Sequence, residues 1–281
     1  MAKPDSIASA LARGSVQLRA LQTGRRDAEL LLMQVMGCDR AYLLTHPEAE
    51  LTPEQAAAYE NWIARRSRNE PVQYITGEQE FFGLKLGVTP AVLIPRPETE
   101  HLVEAALTRA DHSTGLKIAD VGTGSGAIAV ALANALPRAQ VTALDISPAA
   151  LAVARENAER HGVAERIEFV ESDLLEAVAG ESFDLIVSNP PYVAECEVLE
   201  LQVRDFEPWI ALYGGVEGLD VYRRLVPIAH KALKSRGWLL MEMGHDQRDA
   251  LAEMLASWSK LSFINDLQGI PRVACAQRHN G

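Results

Sequence analysis

The sequence predicts a doubly wound α/β domain preceded by a small helical domain, and three observations carry the prediction. From Lys117 onward, apolar strand-like runs alternate with helix-like runs, the signature of β-α units around a parallel sheet. A glycine-rich turn, Gly122 to Gly126, joins the first of these strands to its helix. Past the fourth strand, residues 189–218 interrupt the alternation with a connection far above the ~4–6 residue median for loops.

The first 70 or so residues read as helical throughout. Asp5 or Ser6 can cap a helix running through Leu21, and Asp27 can cap a second that places Leu30, Leu31, Gln34 and Val35 at helical spacing and ends near Gly37. Thr52-Pro53-Glu54-Gln55 is a helix start with Thr52 at the N-cap, Pro53 at the first position and Gln55 closing a capping box. That helix runs to about Arg68. Residues 72–95 carry aromatic and β-branched residues with Gly at intervals, which predicts one or two β-hairpins. Arg96-Pro97-Glu98-Thr99-Glu100 then opens a helix to about Arg109. The expected organisation is a helical domain over 1–71, a β-hairpin linker over 72–95 and the α/β domain over 96–281.

Within that domain seven strands are expected, over 117–121, 140–145, 166–170, 183–188, 237–243, 261–266 and 271–277. Helices start near Gly126, Pro148, Leu219 and Asp246. Continuous apolar runs such as Leu185 to Ser188 and Trp238 to Met241 fit parallel strands covered on both faces. The long connection begins at the carboxyl end of the fourth strand, the side on which such sheets bind ligands.

Composition narrows the function. The 281 residues are 48% hydrophobic and 23% charged, as in an ordinary globular protein. Lys and Arg number 27 against 38 Asp and Glu, a formal charge of −11, which argues against sequence-blind nucleic-acid binding through a cationic surface. No apolar run approaches the ~18 residues of a membrane span, and the N-terminus lacks a secretory apolar region, so a cytoplasmic location is expected. Cys38, Cys196 and Cys275 are far apart, and the seven His form no H-x-x-x-H pair. Neither a disulfide framework nor a metal site is expected.

Asp120-Val121-Gly122-Thr123-Gly124-Ser125-Gly126 follows the first strand. Its glycines permit a tight turn and close approach of a ligand to the backbone, and the helix N-terminus behind it offers N–H groups. The next strand ends at Asp145, 19 residues after Gly126, where a carboxylate can accept both hydroxyl hydrogens of a ribose. An adenosine-containing cofactor is implied. Methyltransferases using S-adenosylmethionine favour the G-x-G-x-G spacing seen here, dinucleotide enzymes G-x-G-x-x-G, and a plain structural turn is the third reading. Asp173, after the third strand, is placed to meet an adenine amino group or to cap the short segment that follows it.

Ser188-Asn189-Pro190-Pro191-Tyr192 ends the fourth strand. Two prolines fix φ and remove two donors, leaving a rigid element rich in acceptors. The Asn189 side-chain carbonyl and the Pro190 backbone carbonyl can take the two hydrogens of a planar NH2 group, with the Tyr192 ring against its plane. An amide nitrogen is a weak nucleophile because its lone pair is delocalised. Two acceptors aligned with an activated methyl stabilise the positive charge that develops on nitrogen, and proximity supplies much of the remainder. The alternative is a proline-rich strand end that simply stops the strand.

With these motifs in place the chain resembles the HemK-type glutamine methyltransferases, also called PrmC, that modify peptide chain release factors. The resemblance covers almost the whole length. It runs through Pro71 to Gly77, Phe81 to Leu84, Leu93 to Glu100, Asp120 to Gly126, Asp145 to Ser147, Asn189 to Tyr192, Glu207-Pro208, Gly214-Gly215 with Gly218-Leu219, Asp266-Leu267 and Arg272-Val273. It implies a class I S-adenosylmethionine-dependent methyltransferase domain, doubly wound on a seven-stranded sheet, behind a small N-terminal domain that docks the protein substrate. The implied reaction is transfer of a methyl group to the side-chain nitrogen of the glutamine in the Gly-Gly-Gln tip of bacterial-type release factors, leaving S-adenosylhomocysteine. The resemblance assigns cofactor binding to Gly122, Thr123, Gly124, Ser125, Gly126, Asp145, Asp173 and Leu174, with Asn189 beside them, and glutamine binding to Asn189, Pro190, Pro191 and Tyr192. Several relatives have an aromatic residue where this chain has Leu174, so ring stacking on adenine gives way to apolar contact. Arg96, Glu98 and Thr99 are placed beside the site or, equally, form a helix start with Arg96 in a salt bridge.

Other features read as packing: Phe81 and Phe82 in a hairpin, Trp238, Met241 and Met243 in strand core, Glu207 and Pro208 ordering the long loop, Cys196 incidental. Two rival functions remain in view. A nucleic-acid adenine-N6 methyltransferase uses the same Asn-Pro-Pro-Tyr logic on an exocyclic amine but must also extract its base. An NAD-linked oxidoreductase leaves Asn-Pro-Pro-Tyr unexplained.

Overall fold

The computed structural model describes residues 5–111, 113 and 115–279; Met1 to Pro4, which enter the reading of the N-terminus, and the last two residues of the expected 96–281 domain lie outside them. The chain divides into two compact units. One takes the residues through Gly77 together with Glu200–Phe206, and the other takes Glu78–Leu199 and everything from Glu207 onward.

In the helical unit, α1 (Ile7–Gln17) starts at Ser6, which forms a capping box with Ser9. α2 (Gly24–Met36) ends at Gly37, whose φ of 62° supplies the left-handed cap. Asp27 does not cap α2 as expected. It lies within the first turn, buried, and accepts from the Thr23 hydroxyl at 2.8 Å and from Arg66 Nε at 2.7 Å. The helix dipole favours an acid there, and the guanidinium makes its burial tolerable. α3 (Arg40–Thr45) is capped by the Asp39 side chain. α4 (Pro53–Arg66) has the Thr52–Gln55 capping box and the Pro53 start that its sequence specifies. Ile7, Leu18, Leu31, Leu32, Leu43, Tyr59 and Ile63 join in one core.

α5 (Val72–Thr76) corrects the expectation of strand from residue 72 onward. Pro71 precedes it, Gly77 at φ 76° ends it, and its Val72 and Ile75 pack on the helical core. Burial outweighs the strand propensity of V-Q-Y-I-T. The strand pattern that remains is a single hairpin, β1 (Glu78–Phe81) with β2 (Leu84–Gly87). Phe82 and Gly83 turn it with φ of 51° and 72°, the two positive values that a type I′ turn requires. The Glu100 carboxylate accepts from the Phe82 N–H at 2.8 Å, which holds the bulky residue in that conformation.

After a short 3-10 turn over Pro97–Thr99 come α6 (Glu100–Arg109), β3 (Lys117–Val121), α7 (Ala127–Ala135), β4 (Gln140–Asp145), α8 (Pro148–Arg160), β5 (Ile167–Glu171) and β6 (Phe183–Ser188). The long connection contains α9 (Leu201–Phe206), which groups with the helical unit. α10 (Asp220–Ala232), β7 (Leu233–Glu242), α11 (Arg248–Met254), β8 (Ser259–Asn265) and β9 (Pro271–Gln277) complete the chain. The seven-stranded sheet has the order β5-β4-β3-β6-β7-β9-β8. β3 to β7 pair in parallel, and β9 runs antiparallel to β7 and β8. β7 starts ahead of the expected Gly237 because Leu233 already pairs with Phe183 before a register shift.

The strands alternate between two cores. Ile118, Val141, Leu185 and Leu240 face one side with α6, α7 and α8; Ala119, Leu144, Ile186 and Met241 face the other with α10 and α11. Two buried faces explain the unbroken apolar runs. Strand order reverses at β3, between β4 and β6, so the crevice for a ligand opens beyond the carboxyl ends of those strands.

Candidate active site

At one corner of that crevice the glycine loop closes on itself. The Gly122 and Thr123 N–H groups donate to the Leu144 carbonyl at 2.8 and 2.9 Å, and the Gly126 N–H to the Thr123 carbonyl at 2.8 Å. The Gly124 N–H donates to Asp145 Oδ2 at 2.8 Å. Gly122, Gly124 and Gly126 have φ of 74°, 54° and 78°, values that an L side chain rarely adopts. A Cβ on Gly126 would also press against Ala154 of α8 at 3.0 Å. Asp120 ties the loop down from beneath. It is fully buried, and its Oδ2 accepts from the Thr123 hydroxyl at 2.7 Å and from the Ala129 N–H at 3.1 Å. Burial, reinforced by the nearby Asp145 charge, pushes the Asp120 carboxyl up to about 7.

Asp145 ends β4. Besides Gly124, which donates to Oδ2, it accepts at Oδ1 from the Ser147 N–H at 2.9 Å. A carboxylate has about four lone-pair sites, so acceptor capacity remains for a ligand hydroxyl. Burial raises its pKa, and the backbone donors oppose the rise. The Ser172 hydroxyl accepts from the Ala177 N–H at 3.0 Å, and the N-cap of the short turn that follows is Leu175. Asp173 is therefore not that cap. Its Oδ2 accepts from Arg224 of α10 at 2.6 Å. Leu174 follows with φ 52°, an uncommon conformation for a branched side chain.

The second corner is Asn-Pro-Pro-Tyr. Ser188, the last residue of β6, anchors it through its hydroxyl to the Val121 carbonyl at 2.7 Å. Asn189 Nδ2 donates to Thr99 Oγ1 at 3.1 Å. The Tyr192 hydroxyl donates to Glu242 Oε1 at 3.3 Å, and burial beside that acid pushes the phenol pKa up. Gln247 Nε2 bridges the Tyr192 and Gly218 carbonyls at 2.9 and 3.1 Å. Val193 pairs with Tyr213 as an isolated parallel bridge. Gly214 and Gly218 lie where a Cβ would collide with the Pro191 and Tyr192 carbonyls respectively, which explains the glycines after the motif. Glu207 accepts from the Ile94 N–H at 3.1 Å and pairs with Arg96, ordering the loop as its sequence indicated.

Between the corners lies a cavity of about 290 Å³. Of the expected site residues it brings together Gly122, Thr123, Gly124, Ser125, Asp145, Asp173, Leu174, Asn189 and Pro191, with Thr99 beside them. Gly126, Pro190 and Tyr192 are not among its lining residues, and neither are Arg96 and Glu98. Arg224, Ile210 and Tyr213 line the cavity too; nothing local in the sequence pointed to them. Glu242 was also missed. Its signal is an acid inside the apolar run Trp238 to Met243, at the strand end next to the motif. Among the described residues no group of three His, Cys, Asp or Glu is arranged to hold a metal ion.

A pyrophosphate needs free backbone donors on the glycine loop, and four of the loop's N–H groups are engaged within the protein. The Asp145 carboxylate at the end of β4 and the acceptor-rich end of β6 remain. Such a sheet edge serves a class I S-adenosylmethionine-dependent methyltransferase. Comparison with known proteins agrees. The PrmC N-terminal domain family matches residues 9–77 and the methyltransferase small domain family residues 99–206. The release factor glutamine methyltransferase of Koribacter versatilis is 52% identical over 90% of this chain and 91% of its own length. That of Geobacter sulfurreducens is 45% identical over 93% and 92%. A solved methyltransferase from Pyrococcus furiosus, 20% identical over 79% of this chain and 100% of its own, shares the fold with a TM-score of 0.54. The chain belongs to the release factor glutamine methyltransferase family.

Proposed function

We propose that this enzyme transfers the methyl group of S-adenosylmethionine to the side-chain amide nitrogen of the glutamine in the Gly-Gly-Gln tip of bacterial-type peptide chain release factors. The observation that carries the reading is the orientation of Asn189. Its NH2 is engaged with Thr99, so its carbonyl oxygen is the free end of a side chain that lines the cavity. An acceptor there suits a substrate NH2 group.

The cavity fits the cofactor. Open space beside the Cβ positions of Gly122 and Gly124 admits a ligand against the backbone, Asp145 has acceptor capacity for ribose hydroxyls, and Ile146, Leu174 and Ile210 give apolar walls for a flat ring. When bound, S-adenosylmethionine supplies a methyl group made electrophilic by its sulfonium. The protein's part is positioning and electrostatics. Asn189 Oδ1 and the Pro190 carbonyl hold the two amide hydrogens, which fixes the nitrogen and turns its lone pair toward the methyl carbon. As the N–C bond formed, the methyl's bond to sulfur would break with its electron pair left on sulfur, giving S-adenosylhomocysteine, and the two acceptors would stabilise the positive charge growing on nitrogen. One N–H proton then leaves to water, giving N5-methylglutamine.

We assign protein docking to the helical domain over 1–71 and the reaction to 96–281, with residues 72–95 between them. The enzyme acts in the cytoplasm, where release factors work. The family membership and the engaged loop donors favour neither the adenine-N6 nor the NAD-linked alternative. The test is labelled methyl transfer to a release factor, beside its Gln→Glu tip variant and duplex DNA. Label on the intact tip alone is expected; label on DNA and none on the release factor would overturn the reading.

A further inference from the structure

Behind Asn189 the structure holds an acid that the chemistry above does not use. Glu242 ends β7, one residue past the Met241 that pairs with Ser188, and so lies beside the start of the motif. It is 2% exposed. Oε1 takes the Tyr192 hydroxyl, and Oε2 has no partner among the described residues. Burial pushes the Glu242 carboxyl up; the Thr99 and Tyr192 hydroxyls and the Arg272 charge oppose the rise, and the Glu98 charge adds to it. Thr99 is itself 4% exposed. Its oxygen accepts from Asn189 Nδ2 at 3.1 Å, which leaves its own hydrogen to give. A buried hydroxyl with a hydrogen to give and a buried carboxylate oxygen without a donor are complementary.

We infer that Glu242 is a positioning residue for methyl transfer: through Thr99 it fixes the flip of the Asn189 amide, and through the Tyr192 hydroxyl it braces the other end of the motif. The arrangement is directional. Ionised or protonated, the carboxyl keeps an oxygen that accepts, and the Thr99 hydroxyl donates to it. The Thr99 oxygen then receives the Asn189 NH2, and Asn189 is left with its carbonyl toward the cavity. Asn is nearly symmetric in shape, and its flip is decided by its partners alone. The reverse flip would set NH2 against the NH2 of the substrate amide, donor against donor. Burying an acid with an unmatched oxygen is costly, and a fold that needed shape alone at Glu242 would be served by an apolar residue.

This inference rests on the glutamine-methylation reading. The experiment measures kcat and KM on a release factor, S-adenosylhomocysteine affinity by calorimetry and the thermal midpoint for the full-length chain, Thr99→Val, Thr99→Ser, Glu242→Gln and the Thr99→Val/Glu242→Gln double variant. Valine keeps the shape of threonine without the hydroxyl, serine keeps the hydroxyl, and glutamine replaces one acceptor oxygen by a donor. Thr99→Val and Glu242→Gln are each expected to lower kcat by about tenfold or more while product affinity stays within ~3-fold. Thr99→Ser is expected within ~3-fold of the parent, and the double variant close to the worse single one, because serial links are not additive. Turnover within ~2-fold of the parent in Thr99→Val and Glu242→Gln would overturn the inference. So would equal loss in Thr99→Ser and Thr99→Val, or loss that merely tracks the thermal midpoint. A parent enzyme that binds S-adenosylhomocysteine yet labels no release factor would sink the function reading and this inference with it.

Discussion

The two corners of the cavity are built by opposite means. At the glycine corner the partners lie within one β-α unit: Asp120, Thr123 and Ala129 bond within ten residues, and Gly122, Thr123 and Gly124 reach Leu144 and Asp145 across that unit. At the Asn-Pro-Pro-Tyr corner the partners come from afar. Asn189 leans on Thr99, Tyr192 on Glu242, and the motif's backbone on Gln247 and Gly218. The first corner satisfies its own donors and offers a smooth cradle. The second holds one side chain in a chosen orientation by a relay through the core. A cradle sets cofactor affinity, whereas oriented acceptors set the rate of a step in which charge develops.

That division is open to breakage by mutation. Asn189→Ala is expected to cost about 100-fold or more in kcat, with S-adenosylhomocysteine affinity nearly unchanged by calorimetry. Turnover equal to the parent's would remove the distinction between the corners. Asp145→Ala is expected to weaken cofactor binding by about 10- to 100-fold, the loss of hydrogen bonds to a charged acceptor, while kcat at saturating cofactor changes far less.

Each corner also buries an acid whose carboxyl is pushed up, and pH sharpens the comparison. Burial pushes both Asp120 and Glu242 up to about 7. In the unfolded chain such carboxyls titrate near 4. Between those values the folded protein keeps protons that the unfolded chain releases, so this stabilisation is full below ~pH 4 and is lost as pH rises through about 7. Urea unfolding is expected to show stability declining from pH 5 to 7. Asp120→Asn and Glu242→Gln should each flatten the decline by roughly 1 kcal/mol per pH unit; an unchanged slope would contradict the assigned burial effect. The smallest expected effect is at Leu174. Leu174→Phe puts a ring on the cavity wall and should tighten S-adenosylhomocysteine by ~2- to 10-fold, the worth of one aromatic contact.

The glycine corner was legible in the sequence because its logic is local. Asp120 to Gly126, the 19-residue step to Asp145 and the β-α rhythm all lie along the chain. The helix start at Thr52 and Pro53 was equally legible, because its capping box forms from adjacent residues. The helix at Val72–Thr76 was hidden because its β-branched residues favour strand locally and the burial of Ile75 is a tertiary fact. Asp27 misled for a similar reason, its partner Arg66 lying 39 residues away. Asn189 to Tyr192 were visible as a motif, but the flip of Asn189 depends on Thr99, 90 residues earlier. Arg224 meets Asp173 across 51 residues, a pairing that no spacing rule announces.

The most direct measurement is a crystal structure of the enzyme with S-adenosylhomocysteine and a release factor, read at the target glutamine. The account predicts the glutamine amide nitrogen about 2.9 Å from Asn189 Oδ1, similarly close to the Pro190 carbonyl, and facing the sulfur. An amide nitrogen turned elsewhere, with residues 189–192 touching neither molecule, would contradict it.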